Sequence, residues 1–250
     1  MRPSPRRSTG RSERPPRMRR PTFDAGQAFC FLPRDRVDVS LIEGAGNIEM
    51  LDYPAPVMIV DDFVGRAGVE QLLQYAIAHE SGFQPSKVAL RHEGIIDESR
   101  RVSKVNSDVY PVMPLIDPVI RKAVDEAIPR LGLVNVESYH LEPELTWCGD
   151  GSFFKMHADT LQARASRRVL TMVYYFHKEP KAFTGGQLRL YGLGAEADSC
   201  IYQEIEPRLD RAVFFPAWFP HEVLPVRCSS DAFADGRFAI NCWVHRTPWG

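Results

Sequence analysis

From residue 132 onward the chain is written in short segments rich in β-branched and aromatic residues, broken by Gly, Pro and Asp, with no helical periodicity between them. The segments fall near 134–146, 152–159, 168–177, 186–191, 201–206, 211–215, 221–226 and 237–245. Eight short strands in succession suit two antiparallel sheets closed face to face. The expected fold is therefore mainly β with supporting α-helices: a two-sheet jelly roll closed into a barrel. The run Val169-Leu170-Thr171-Met172-Val173-Tyr174-Tyr175-Phe176 is apolar at nearly every position. A strand with one wet face would alternate, so this one is expected to be covered on both faces.

Helical patterns are confined to the first half. Between Asp61 and Phe83 an apolar stripe of Val69, Leu72, Leu73, Ala76 and Ile77 predicts a capped helix that Gly82 would stop. A second helix is predicted from Asp117, as N-cap before Pro118, with Val119, Ile120, Ala123, Val124 and Ala127 on its buried face and Pro129 at its end. We divide the chain into a tail (1–20), an N-terminal segment with the supporting helices (21–131), and a β-helix core (132–250) that forms one domain with that segment.

The tail has its own chemistry. Residues 1–20 hold eight arginines against Glu13 alone, a charge of +7 in a chain whose net charge is -1, which leaves the remainder at -8. With four prolines among the arginines, the tail can neither bury apolar surface nor sustain a helix, and it is expected to be disordered and dispensable for folding. Met18 offers an alternative start. An acidic body argues against a nucleic-acid partner, and no run approaches the length needed to cross a bilayer, so the expected location is cytoplasmic. The five cysteines form no CxxC pair and are expected to be reduced.

His157 and Asp159 stand two apart in a predicted strand, so both side chains leave the same face. His221, 62 residues past Asp159, opens another predicted strand after the turn Pro216-Ala217-Trp218-Phe219-Pro220. Two histidines and one carboxylate on one face of an octahedral ion leave three positions open, which is the facial triad of non-haem Fe(II) oxygenases. The ordinary alternatives are a turn residue for Asp159 and a capping or core histidine for His221. Arg237, 16 residues past His221, lies among apolar residues in Gly236-Arg237-Phe238-Ala239-Ile240-Asn241-Cys242-Trp243. Burying a guanidinium is costly unless it meets an anion, and a carboxylate suits its fork; an internal salt bridge is the alternative.

Phe154-Lys155-Met156-His157-Ala158-Asp159, Gly185-Gly186-Gln187-Leu188-Arg189-Leu190-Tyr191, Ile205-Glu206-Pro207, Asp210-Arg211, Phe214-Phe215, His221-Glu222-Val223 and Gly236-Arg237-Phe238-Ala239-Ile240 occur in the order seen in the prolyl-hydroxylase-like branch of the 2-oxoglutarate/Fe(II)-dependent dioxygenases, which the chain resembles from about residue 132 to 245. The resemblance implies a double-stranded β-helix, a cupin-like jelly roll, with Fe(II) on His157, Asp159 and His221, and 2-oxoglutarate as cosubstrate with its distal carboxylate on Arg237. It also implies Tyr175 as a second partner of that carboxylate, with an ordinary core aromatic as the alternative, O2 as oxidant, and ascorbate as a candidate reductant; Thr171 and Val173 share strand parity with Tyr175 and should line the same pocket. The implied activity is hydroxylation of an unactivated C–H bond, with a prolyl residue in a peptide or protein as first candidate. Oxidation of a free amino acid or small metabolite, and a cupin-like metal-binding protein without turnover, are the alternatives. Oligomeric state is left open. Two departures from the family pattern stand out. Trp147, ten residues before His157, takes a place often held by a cosubstrate-contacting tyrosine, and the link Arg227–Asp235 is long. That link and the region Ser86–Val105 are the expected walls of a groove or lid; Trp218, Arg164 and Arg168 are candidate substrate-side residues.

Overall fold

The computed structural model describes residues 54–90, 93–160, 167–192 and 201–247. The Arg/Pro-rich tail, Arg164, Cys30 and Cys200 lie outside the described residues. Six short strands come first, β1 (Met58–Val60), β2 (Gln84–Pro85), β3 (Val88–Leu90), β4 (Glu93–Ile95), β5 (Arg101–Val102) and β6 (Lys104–Asn106), with helix α1 (Arg66–Ala78) after β1 and helix α2 (Met113–Arg130) after β6. The second half runs β7 (Tyr139–Cys148), β8 (Phe153–His157), β9 (Arg168–Phe176), β10 (Phe183–Gly185), β11 (Leu188–Tyr191), β12 (Tyr202–Ile205), β13 (Arg211–Pro216), β14 (His221–Val223), β15 (Val226–Cys228) and β16 (Arg237–Arg246).

These strands form a seven-stranded sheet, β1-β13-β9-β16-β7-β6-β2, and a five-stranded sheet, β12-β11-β14-β8-β5, with two small ribbons, β10-β15 and β3-β4. The fold is the expected double-stranded β-helix. Side-chain alternation on β9 explains its unbroken apolar run. Leu170, Met172, Tyr174 and Phe176 join α1 and α2 in one core through Leu72, Ala76, Ile120 and Val124. Val173 and Tyr175 face the opposite way, into a second core between the sheets with Leu188, Leu190, Val213 and Phe215. Both faces of β9 are dry, as a strand covered by helices on one side and a sheet on the other must be.

The helices differ from expectation at their ends. Helix α1 starts at Arg66, with Gly65 (φ 77°) at its N-cap, not at Asp61. Asp61 instead accepts two hydrogen bonds from Arg211, at 2.6 and 2.8 Å. The donors just before α1 are satisfied from afar: Val64 N–H and Gly65 N–H donate to the Asp210 carboxylate at 2.9 and 2.8 Å. Ile77 is exposed rather than buried, and Gly82 sits in a 3-10 turn beyond the helix end. Helix α2 begins five residues early, at Met113 and not Pro118, so Asp117 lies inside it and pairs with Arg121 at 2.7 Å. Pro114, not Pro118, occupies its first turn, and a favourable N-terminal proline explains the earlier start. The six short strands before residue 107 and the β10–β15 ribbon leave no mark in the sequence pattern, because segments of two or three residues carry no readable alternation.

Candidate metal and carboxylate site

β14 lies between β11 and β8 in the smaller sheet, and its register puts His221 directly opposite His157. Each ring is aimed by its own backbone. His157 Nδ1 lies 2.9 Å from the carbonyl of Lys155, and His221 Nδ1 lies 2.9 Å from that of Phe219. A carbonyl only accepts, so each Nδ1 carries the proton and each Nε2 presents its lone pair. Phe154 stacks on His157 with ring centroids 3.6 Å apart, and Phe215 meets His221 edge-on at 4.8 Å. Asp159 is not in the strand, which ends at His157. It sits in the following turn, where its N–H donates to the carbonyl of Ala217 at 3.1 Å.

The ligand atoms of His157, Asp159 and His221 all lie within 4.8 Å of one another. His157 Nε2 is 3.8 Å from Asp159 Oδ1, and His221 Nε2 is 3.6 Å from Asp159 Oδ2. These gaps are too long for hydrogen bonds and suit three donors that share an ion. Burial, reinforced by His221, pushes the His157 imidazole down to about 3, so it stays neutral. Burial alone would raise Asp159, but the neighbouring histidines and the Thr171 hydroxyl outweigh it and hold the carboxyl below its usual range. A neutral imidazole beside an ionised carboxylate is the protonation state a cation requires.

Thr171, expected as a cosubstrate contact, lines this cavity, but its hydroxyl donates to Asp159 Oδ2 at 2.6 Å. It orients the carboxylate. Tyr175 and Arg237 lie deeper. Arg237 is 3% exposed, and its best contacts are weak ones, Nε to the Gly186 carbonyl at 3.2 Å and Nη1 to Cys148 Sγ at 3.5 Å. Its guanidinium carbon lies 4.9 Å from the centre of the Tyr175 ring. Among the described residues no carboxylate is in salt-bridge reach of Arg237, so an internal ion pair is not what holds it. Among the described residues the buried Tyr175 hydroxyl has no hydrogen-bond partner, and burial, only partly offset by the neighbouring Arg237, raises its pKa. A buried cation and a buried hydroxyl, both under-satisfied, fit a carboxylate group. Gly186 makes room for the arginine stem, and Gly185 for the Pro225 backbone beside it. Gly186 has φ 70°, and a Cβ there would meet Arg237 Cδ and Val226 Cγ2 at 2.9 Å.

Other expectations fared differently. Trp147 points out of the cavity: its Nε1–H donates to the Phe233 carbonyl at 2.8 Å and its ring stacks on Phe233. Its neighbours on β7, Thr146 and Cys148, face the cavity instead, so the supposed tyrosine replacement has no bearing on cosubstrate contacts. The Arg227–Asp235 link does not wall the cavity. It begins with β15 residues paired to β10, buries Phe233, and pins Asp235 to Lys178, Ser229 and Ser230. The Ser86–Val105 region does contribute, through Arg101 and Ser103. Arg168 binds Glu142 at 2.8 and 3.0 Å and covers Trp243, while Trp218 is packed into both cores. Missed by sequence reasoning were Arg101, Thr146, Cys148, Asn241 and Trp243. The last two share strand parity with Arg237 and were legible from it; Arg101, on a two-residue edge strand, left no signal.

Residues 143–245 match the 2OG-Fe(II) oxygenase superfamily. The matched segment, which holds His157, Asp159, His221 and Arg237, is similar to that superfamily. Its members use Fe(II), 2-oxoglutarate and O2, and the His-Asp-His donors with the Arg237–Tyr175 pair fit the first two. An uncharacterized PKHD-type hydroxylase from Synechocystis sp. is 34% identical over 142 residues, which are 54% of this chain and 47% of that protein. The chain thus matches about half the length of that relative. The fold is shared with solved prolyl hydroxylases. A prolyl-4-hydroxylase from Pseudomonas putida superposes with a TM-score of 0.55 at 19% identity, covering 78% of this chain and 94% of that one. A prolyl hydroxylase from Trichoplax adhaerens, in complex with a hypoxia inducible factor peptide fragment, gives 0.57 at 21% identity, covering 76% and 83%.

Proposed function

We propose that the protein is a 2-oxoglutarate/Fe(II)-dependent dioxygenase that hydroxylates an unactivated C–H bond, with a prolyl residue of a peptide or protein as the first candidate substrate. The observation that carries the reading is the pairing, in one cavity, of a His-Asp-His donor set with a buried arginine that meets no carboxylate among the described residues. His157, Asp159 and His221 would hold the metal, and Arg237 with the Tyr175 hydroxyl would hold the distal carboxylate of the cosubstrate. When bound, the iron supplies the oxidising chemistry that no side chain can. The protein's part is to aim the two Nε2 atoms through backbone carbonyls, fix one carboxylate oxygen through Thr171, and keep water out with Phe154, Val173 and Leu188. Ascorbate is the expected reductant for restoring Fe(II).

The prolyl assignment is supported by the fold branch and by the order of the core motifs, and hydroxylation of a free amino acid or small metabolite is the second reading. No helix among the described residues is long and apolar enough to cross a membrane, and we place the activity in the cytoplasm with no nucleic-acid partner. The test is to incubate iron-loaded protein with 2-oxoglutarate and either proline-containing peptides or free amino acids, and to follow succinate together with the mass of each candidate substrate. Oxygen gain in a prolyl peptide coupled to succinate is the expected result. Gain confined to free amino acids would overturn the peptide assignment, and absence of succinate in every pool would overturn the activity.

A further inference from the structure

One group at the bottom of the cavity has no part in this chemistry. Cys148 ends β7, register-paired with Arg237 on β16, and its thiol lines the same cavity as the triad. Arg237 Nη1 lies 3.5 Å from its Sγ. The thiol is otherwise walled by Phe183 and Val226, so the cavity is its route to solvent. A thiol sealed in apolar surroundings is out of reach of reagents, whereas this one lines a cavity and has a guanidinium beside it that can hold an anionic reagent against the sulfur. Independently of the cysteine, the unpartnered Tyr175 hydroxyl and the carboxylate-free Arg237 mark the space in front of it as an anion site.

We propose that Cys148 is a covalent modification site for small carboxylate-bearing electrophiles, delivered by the Arg237–Tyr175 subsite, and that occupancy of that subsite by cosubstrate protects it. With iodoacetate as the probe, the sulfur forms a bond to the methylene carbon, the carbon–iodine bond breaks, iodide leaves, and the thiol proton goes to solvent. The product places a tethered carboxylate within reach of the guanidinium 3.5 Å away. It would occupy the cosubstrate's anchor from within, so modification would switch off 2-oxoglutarate binding and not merely obstruct it. The inference rests on the reading of Arg237 and Tyr175 as a carboxylate subsite.

The experiment labels intact, anaerobic, iron-loaded protein with iodoacetate or with its neutral counterpart iodoacetamide, with and without 2-oxoglutarate, and quantifies each cysteine by peptide mass. Cosubstrate binding is measured separately by equilibrium dialysis. Cys228, half-buried with a thiol that burial pushes up to about 11, serves as the internal reference. The iodoacetate-to-iodoacetamide rate ratio at Cys148 should exceed that at Cys228 about tenfold, as one charge-assisted contact allows. Saturating 2-oxoglutarate should suppress labelling, and the labelled protein should no longer bind the cosubstrate. An equal ratio at the two cysteines, or no labelling of Cys148 unless the protein is unfolded, would overturn the proposal even where dialysis shows 2-oxoglutarate bound. Anion-selective labelling in a protein that fails to bind 2-oxoglutarate would uphold the modification site and remove the cosubstrate assignment.

Discussion

Tyr174 and Tyr175 are adjacent on β9, equally inaccessible, and opposite in their surroundings. Tyr174 points to the helix-covered face, where its hydroxyl donates to Asp210 at 3.0 Å, and the same carboxylate ties down the chain before α1. Tyr175 points between the sheets, where its hydroxyl has no partner and Arg237 lies beside its ring. The outer face satisfies the polar groups it buries; the inner face leaves some waiting. Buried unsatisfied groups are costly in a fold that gains nothing from them, and two of them among the described residues, on Tyr175 and Trp243, line the triad's cavity, which favours a ligand there.

Four predictions test that contrast, in descending size. Replacing Asp159 by Ala should reduce succinate formation to background and abolish Fe(II) binding in a metal titration, while far-UV circular dichroism stays unchanged. Activity retained in this variant would break the inner-face assignment. On the outer face, Leu170→Ala should cost about 2–5 kcal/mol in urea unfolding, the usual penalty for emptying a fully buried aliphatic site. Arg237→Lys should weaken 2-oxoglutarate binding by roughly ten- to a hundredfold, the equivalent of one charged hydrogen bond, with iron affinity unchanged. The pair Tyr174→Phe and Tyr175→Phe is the sharpest comparison. The first should destabilise by about 1–2 kcal/mol because Asp210 loses a donor, and the second should leave stability within about 0.5 kcal/mol because no bond is lost. Equal costs in the two variants would mean that the two faces do not differ as described.

The same contrast separates what was readable in the sequence from what was not. The double-stranded β-helix was legible because β7 to β9 and β16 are long enough to show period and face. His157, His221 and Arg237 stood out as imidazoles on predicted strands and an arginine amid apolar neighbours, whereas Asp159 was picked by a strand spacing that the structure does not keep, since it lies in the turn after β8. Trp147 misled because a position in a motif does not reveal which face of the strand it occupies; Thr146 and Cys148 beside it face the cavity. Thr171 was located correctly on the inner face, yet its partner, Asp159, depends on a turn that strand parity does not describe. Arg101 and the Asp210 contacts before α1 join segments far apart in the chain, and local pattern carries no trace of them.

Most direct of all is a comparison of two oxo acids that differ at the distal carboxylate. Anaerobic, iron-loaded protein would be titrated with 2-oxoglutarate and with 2-oxobutanoate, which keeps the chelating oxo acid group and lacks the second carboxylate. If Arg237 and Tyr175 await that carboxylate, 2-oxoglutarate should bind about ten- to a hundredfold more tightly, and Arg237→Lys should erase most of the difference. Equal affinity for the two acids in the unmodified protein would contradict the account.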